Sequence, residues 1–308
     1  MSEGKPFRAG FVALVGAPNV GKSSIINAML GEHAAAVSDK PQTTRNAVRC
    51  VLTTGDCQLV IVDTPGIHKP RFALGEFMTR EIESALESAD VACLVLEAGR
   101  PLGENGERVC ARMEHAGLPV VLAANKIDKL SSPDSRGEDF WRWLEPLQER
   151  IYPAAVVPVS ALYGTNMETL RDELANRVPE GAPIYPGDVL MDTTERFLAE
   201  EIIRERILLC TEQEVPHSVA VKVEEFRSPD EYPDLKRAMI RADVIVERSG
   251  QKGILIGERG TKLKQIKAGA RAEMERRFGY PVTLDLWVKV KPGWRKSIAE
   301  IQRAGYRR

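Results

Sequence analysis

Short apolar runs and helical spacings alternate along the first 180 residues. Phe11–Val15, Leu59–Val62, Val91–Leu96, Val120–Ala124 and Val156–Val159 are brief, rich in β-branched residues and bounded by breakers, the pattern of strands buried on both faces. Between them, Lys22–Leu30, Gly75–Ser88, Asn105–His115, Asp139–Ile151 and Met167–Arg177 have the length and spacing of amphipathic helices. Such alternation predicts an α/β domain: a mostly parallel sheet, helices on both faces, and ligands at the carboxyl ends of the strands. Asn46–Thr53, closed by Gly55-Asp56, is expected to pair antiparallel with Cys57–Val62.

The pattern breaks at residues 178–188, where three prolines and two glycines can continue neither helix nor strand. This places a domain boundary there: a first domain over 1–180, a linker over 181–190 and a second domain over 191–308. Beyond the break come a helix (Glu195–Leu209), two strands (Ser218–Glu225 and Met239–Glu247), a Gly-rich turn, a helix (Thr261–Phe278), a strand (Val282–Val290) and a short C-terminal helix. That order predicts a smaller α+β domain.

Composition narrows the class. A 43% apolar fraction over 308 residues is that of an ordinary globular protein. Cys50, Cys57, Cys93, Cys110 and Cys210 are odd in number, widely spaced and without a C-x-x-C pair, so neither a disulfide framework nor a zinc site is suggested and a reducing cytoplasm is expected. The N-terminal Met1-Ser-Glu-Gly-Lys-Pro lacks a signal-peptide apolar core, and no stretch reaches the roughly 18 apolar residues of a spanning helix. A soluble or at most peripheral protein is expected.

Charge changes the picture further. The net charge of -1 is a cancellation: residues 1–180 carry -5, residues 181–235 carry -8 and residues 236–308 carry +12. A block of +12 suits a nucleic acid or an acidic membrane surface, and equally a solvated basic face.

The candidate chemistry begins where the first strand meets the first helix. Gly16, Ala17, Pro18, Asn19, Val20, Gly21, Lys22 and Ser23, with Ser24 next, match G-x-x-x-x-G-K-[ST] in the strand–loop–helix context the motif needs. The glycines let backbone N–H groups close around phosphate oxygens, Lys22 reaches the β and γ phosphates, and the Ser23 hydroxyl ligates Mg²⁺. Asp63, Thr64, Pro65 and Gly66 follow another strand, so Asp63 emerges on the same sheet edge, placed to hold Mg²⁺ through water. Gly66 lets its N–H approach a γ-phosphate. Asn125, Lys126 and Asp128 of Asn-Lys-Ile-Asp follow the Val120–Ala124 strand. Asp128 can accept both N1–H and N2–H of guanine, and leaving a buried carboxylate unpaired by adenine discriminates by about 10⁴-fold. Asn125 would tie this loop to the phosphate loop, Lys126 would lie over the base, and Ser160-Ala161 would offer a backbone N–H to the guanine O6. A metabolic P-loop kinase is disfavoured by this guanine signature, and no lid or second-substrate motif is visible.

These four motifs, each at a strand's carboxyl end, resemble the translation-factor-like class of P-loop GTPases. The resemblance implies GTP/GDP and Mg²⁺ as cofactors. Gln42-Thr43-Thr44-Arg45-Asn46 stands where that class keeps its first switch, so Thr43 or Thr44, with Thr44 favoured, is expected to contact Mg²⁺ and γ-phosphate. Lys22, Thr44, Asp63 and Gly66 form the expected catalytic set. Ile67 stands where Ras-like GTPases carry a water-orienting Gln, which implies slow intrinsic hydrolysis.

In the basic segment, Gly257-Glu258-Arg259-Gly260 is a G-x-x-G loop between two apolar helical segments, followed by Lys262, Lys264 and Lys267. A lone G-x-x-G is weak, but the α-β-β-α-α-β order is similar to the type II KH domain, in which this loop clamps four single-stranded nucleotides. Glu258 departs from the neutral or basic residues that relatives prefer there. The histidines form no ligand spacing and are assigned no role. Trp287 suits base stacking or core packing, with core packing favoured.

Together, the Q-T-T-R switch, D-T-P-G-I, Asn19 and the KH-like segment resemble the Era family of bacterial ribosome-assembly GTPases. That resemblance implies binding to 16S ribosomal RNA near its 3′ end, action on the small ribosomal subunit, a monomeric cytoplasmic protein with peripheral association at the inner membrane face, and K⁺ held with help from Asn19. It also implies a switch in which GTP and Mg²⁺ order residues 39–46 and 63–75. A competing reading is an RNA-binding chaperone whose nucleotide domain is only structural.

Overall fold

The computed structural model describes residues 6–306 apart from 39, 41, 71, 131–135, 213 and 214; the N-terminal residues 1–5, parts of the two expected switch segments and the side chain of His217 lie outside the described set. The chain divides into two compact units, one of Met1–Val37, Thr44–Lys69 and Phe77–Asp192, the other of Ser38–Thr43, Pro70–Glu76 and Thr193–Arg308.

In the first unit, strands β1 (Arg8–Gly16), β2 (Val48–Thr53), β3 (Cys57–Asp63), β4 (Val91–Glu97), β5 (Val120–Asn125), β6 (Ala155–Pro158) and β7 (Met191–Asp192) form one sheet in the order β6-β5-β4-β1-β3-β2-β7. Neighbours from β6 to β3 are parallel, and β2 runs antiparallel to β3, as the Asn46–Thr53 pattern predicts. Helices α1 (Lys22–Leu30), α2 (Ala73–Glu87, from Phe77 onward in this unit), α3 (Gly103–Met113), α4 (Arg136–Ile151) and α5 (Met167–Ala175) cover its faces. Successive residues of a strand point to opposite faces. Val12 and Leu14 therefore join Ile25 and Leu170 in one apolar cluster, while Ala13 and Val15 join Val109 and Leu144 in another. Burial on both faces explains why these strands are continuous apolar runs rather than alternating ones.

One element has no precursor in the sequence pattern. Just past the Pro/Gly segment lies β7, whose Met191 and Asp192 pair with Cys50 and Arg49 of β2. The cause is β2 itself, which would otherwise be an edge strand with open N–H and C=O groups. Gln58, fully buried in β3, completes the attachment: its Oε1 accepts from Ile184 N at 2.6 Å and Tyr185 N at 2.8 Å, and its Nε2 donates to Tyr185 O at 2.9 Å.

The second unit contains α6 (Glu195–Cys210), a short α7 (Val215–Ser218), β8 (Ala220–Arg227), β9 (Ala238–Val246), α8 (Ser249–Ile256), α9 (Thr261–Phe278), β10 (Val282–Val290) and α10 (Ile298–Arg303). The sheet order is β10-β9-β8, with β8 antiparallel and β10 parallel to β9. Ile202, Ile203, Val244, Leu255, Ile266, Met274 and Leu284 form its core.

Candidate functional site

The loop after β1 turns back on itself through two left-handed residues, Asn19 (φ 63°) and Gly21 (φ 99°). Glycine is required at 21, because a Cβ there would lie 2.3 Å from Asn125 Nδ2. Lys22, the first residue of α1, is buried with Nζ 3.2 Å from both Gly16 O and Ala17 O. Burial lowers its pKa to about 8, opposed by the Asp63 carboxylate. Ser24 follows on the first turn of α1 and Pro18 remains in the loop, whereas the Val20 side chain joins the core.

Three oxygens converge beside Lys22. Ser23 Oγ lies 2.7 Å and Thr44 Oγ1 3.1 Å from Asp63 Oδ2, and the two hydroxyls are 3.2 Å apart. Two hydroxyls and a carboxylate at the strand ends are the donor set of a hard cation, so these residues fit Mg²⁺. Thr43 is turned elsewhere: its hydroxyl donates to Lys40 O at 2.8 Å and lies 2.8 Å from Ser38 Oγ.

The segment after β3 presses on the phosphate loop. A Cβ on Gly66 would stand 2.7 Å from Pro18 N, and Ile67 N donates to Gly16 O at 3.0 Å. The half-buried Ile67 side chain packs on the apolar cluster of the α3/α4 face. Thr64 and Pro65 are buried. The Thr64 hydroxyl donates to Leu14 O at 2.7 Å, so its side chain clips the sheet.

At the end of β5, Asn125 joins three loops: Nδ2 donates to Val20 O at 2.8 Å and Oδ1 accepts from Ala161 N at 3.1 Å. Two groups expected to meet the base have partners within the protein. The N–H groups of Ser160 and Ala161 are both engaged within the protein, with Thr165 O at 3.2 Å and with Asn125 Oδ1 at 3.1 Å, so a guanine O6 would have to share one of these bonds. Asp128, expected to be buried, is exposed in the turn Ile127–Lys129 and accepts the Ser160 hydroxyl, so the desolvation behind base discrimination requires the base itself to cover the carboxylate. Lys126 adopts φ 66° and donates to Asn19 O and Glu97 Oε2, both at 2.7 Å.

In the second unit, Gly257, Arg259 and Gly260 all have positive φ, at 69°, 50° and 77°. A Cβ on Gly257 would lie 2.8 Å from that of Lys262, so this glycine lets the loop close on α9. Glu258, Arg259 and Lys264 are exposed; Lys267 is paired with Asp285 at 2.8 Å. A cleft of about 460 Å³ runs beside the loop, lined by Gly260, Leu263, Lys264, Lys267, Asp285, Leu286 and Trp287. Trp287 is 61% exposed, contrary to the core packing favoured from sequence.

Two family models match the chain, a 50S ribosome-binding GTPase over residues 11–126 and a KH domain over 214–295. The solved structure of an Aquifex aeolicus Era variant bound to GDP·AlF4⁻ is 36% identical, spans 97% of this chain and 99% of that chain, and superposes with a TM-score of 0.90. The chain belongs to the Era family of GTPases. A second Era structure, in complex with MgGDPNP and nucleotides 1506–1542 of 16S ribosomal RNA, matches at 36% identity over the same shares of each chain, with a TM-score of 0.88.

Within this Era-family chain, sequence reasoning missed Glu97. It ends β4 and pairs with Lys126 and, at 3.4 Å, with Arg100. Burial pushes its carboxyl up, but the hydrogen bond and charge of Lys126 carry it below the usual carboxylate range. Its position at the carboxyl end of a central strand was the available signal.

Proposed function

We propose that the protein is a GTP-hydrolysing switch that binds 16S ribosomal RNA near its 3′ end and acts in small-subunit assembly. The observation that carries this is the convergence of Lys22, Ser23, Thr44 and Asp63 at one sheet edge, in a chain that also holds a G-x-x-G loop beside a basic cleft. The Era relative bound to MgGDPNP and 16S ribosomal RNA supports both halves of the reading.

Backbone N–H groups from Asn19 to Ser24 and the dipole of α1 cradle the phosphates, and the Lys22 ammonium adds positive charge at the β and γ oxygens. Ser23, Thr44 and, through water, Asp63 would hold Mg²⁺, which when bound neutralises charge on the same oxygens. Gly66 N–H meets the γ-phosphate, Asp128 accepts the guanine N1–H and N2–H, and Lys126 covers the base. Ile67 offers no side-chain hydrogen bond to water, so intrinsic turnover is slow. K⁺ beside Asn19 is part of this proposal and rests on family resemblance. Arg259, Lys262 and Lys264 contact the RNA backbone while the glycines permit its close approach. A monomer in the cytoplasm with peripheral membrane contact completes the reading; five free thiols suit a reducing compartment.

GTP hydrolysis measured with and without a 16S 3′-terminal RNA, in K⁺ and in Na⁺, tests it. Slow turnover that rises with RNA and K⁺ is expected. A Lys22→Ala variant that kept full activity in ribosome assembly would favour the chaperone reading instead.

A further inference from the structure

Two of the four tryptophans have acceptors for their indole N–H, and Trp141, 60% exposed, has its chain neighbour Phe140 as ring partner. Trp141 meets the Phe140 ring edge-on at 6.1 Å, and Trp143 donates its indole N–H to Arg100 O at 2.8 Å. Trp294, fully buried, donates to Ser218 O at 2.9 Å and stacks on Tyr306 at 5.9 Å. Among the described residues, Trp287 has neither a ring partner nor an acceptor for its indole N–H.

Folding does not account for its position. Along β10, Val282 and Leu284 are buried and Leu286 and Val288 pack on the core, while Asp285, Trp287 and Lys289 alternate outward. In register beside Trp287 on β9 is Asp243, whose carboxylate is held by Lys289 Nζ at 2.5 Å. An indole on a charged row gains little apolar burial there. What Trp287 does share is the cleft at the open edge of β10, with the last glycine of the G-x-x-G loop and with Lys264 and Lys267.

We propose that Trp287 is a stacking platform for one base of single-stranded RNA in this cleft, an inference that rests on the RNA-binding reading above. Lys264 supplies charge for a flanking phosphate, Lys267 being paired with Asp285, and the indole supplies a flat, uncharged face for a base. Charge complementarity favours RNA over a protein as occupant, since the segment 236–308 carries +12. The contact adds affinity that does not depend on salt, because it releases no counterions.

The test uses the full chain and a labelled single-stranded oligoribonucleotide from the 3′ end of 16S ribosomal RNA. Trp287→Ala is expected to weaken binding by about 5- to 150-fold with the salt slope and melting temperature unchanged, while Trp287→Phe stays within a few-fold of the unaltered chain. RNA should quench tryptophan emission in the unaltered chain, and this quench should vanish in Trp287→Phe. If the unaltered chain binds and the Trp287→Ala variant binds equally well, or the quench persists in Trp287→Phe, the stacking role is overturned while RNA binding stands. Weakened binding accompanied by a lowered melting temperature in Trp287→Ala would mark a structural residue and overturn it too. No binding by the unaltered chain would overturn both.

Discussion

Thr43 and Thr44 are adjacent and chemically identical, yet only Thr44 reaches Asp63, because the backbone sends alternate side chains in different directions. Thr44→Ala is therefore expected to weaken GTP binding in Mg²⁺ by about tenfold, the loss of roughly one charge-assisted hydrogen bond. Thr43→Ala should leave Mg²⁺-dependent binding unchanged; titration calorimetry with and without Mg²⁺ separates the two. Lys22 makes a pH prediction. Its folded pKa of about 8 lies below the ordinary 10.5, so burying the charged form costs stability at neutral pH, and that cost is relieved as pH rises from 8 to 10.5. Bound phosphates favour the charged form, so nucleotide binding takes up a proton once the pH exceeds about 8. GTP affinity should fall as pH climbs above 8, and calorimetry at pH 9 in buffers of different ionisation heat should show close to one proton absorbed. Pure proton release would contradict the assignment.

At the scale of elements, the sheet's seventh strand lies just past the segment that prolines and glycines mark as a linker, in the stretch the sequence pattern assigns to the second domain. Gln58 turns its amide oxygen and one N–H to that linker segment, the other N–H going to Thr53 Oγ1, and Asp192 accepts from Tyr185 OH at 2.6 Å and pairs with Arg49 at 3.2 Å. Removing residues 181–192 would uncover the β2 edge and strip the Ile184 and Tyr185 partners from Gln58. A fragment ending at 192 should consequently be more stable than one ending at 180 by about 2 kcal/mol, a shift of several degrees in melting temperature. Equal melting would mean that β7 adds nothing to the first unit. The central strands β1, β3, β4 and β5 were legible because each is an apolar run buried on both faces; a two-residue strand carries no periodicity, and only the open edge of β2 calls it into being.

Taken as a whole, the molecule separates its charge by function: -5 over residues 1–180 and +12 over residues 236–308. Arg259→Asp combined with Lys262→Glu should weaken binding of single-stranded RNA and flatten its salt dependence, with GTP affinity intact, as read by RNA binding at several salt concentrations beside nucleotide titration. Unchanged RNA affinity at low salt would exclude the loop from the interface. The order of the motifs, their place at strand ends, the guanine signature and the G-x-x-G loop were all legible in the linear chain, because backbone conformation and strand burial are local demands that leave local patterns. What tertiary structure decided are choices between equivalent side chains and their surroundings. It turned Thr44 rather than Thr43 toward Asp63, sent the Thr64 hydroxyl into the sheet, left Asp128 exposed, brought Glu97 to Lys126 and put Trp287 at the cleft instead of in the core. Those outcomes depend on which residues distant in sequence arrive at the same point in space, and no local pattern carries that information.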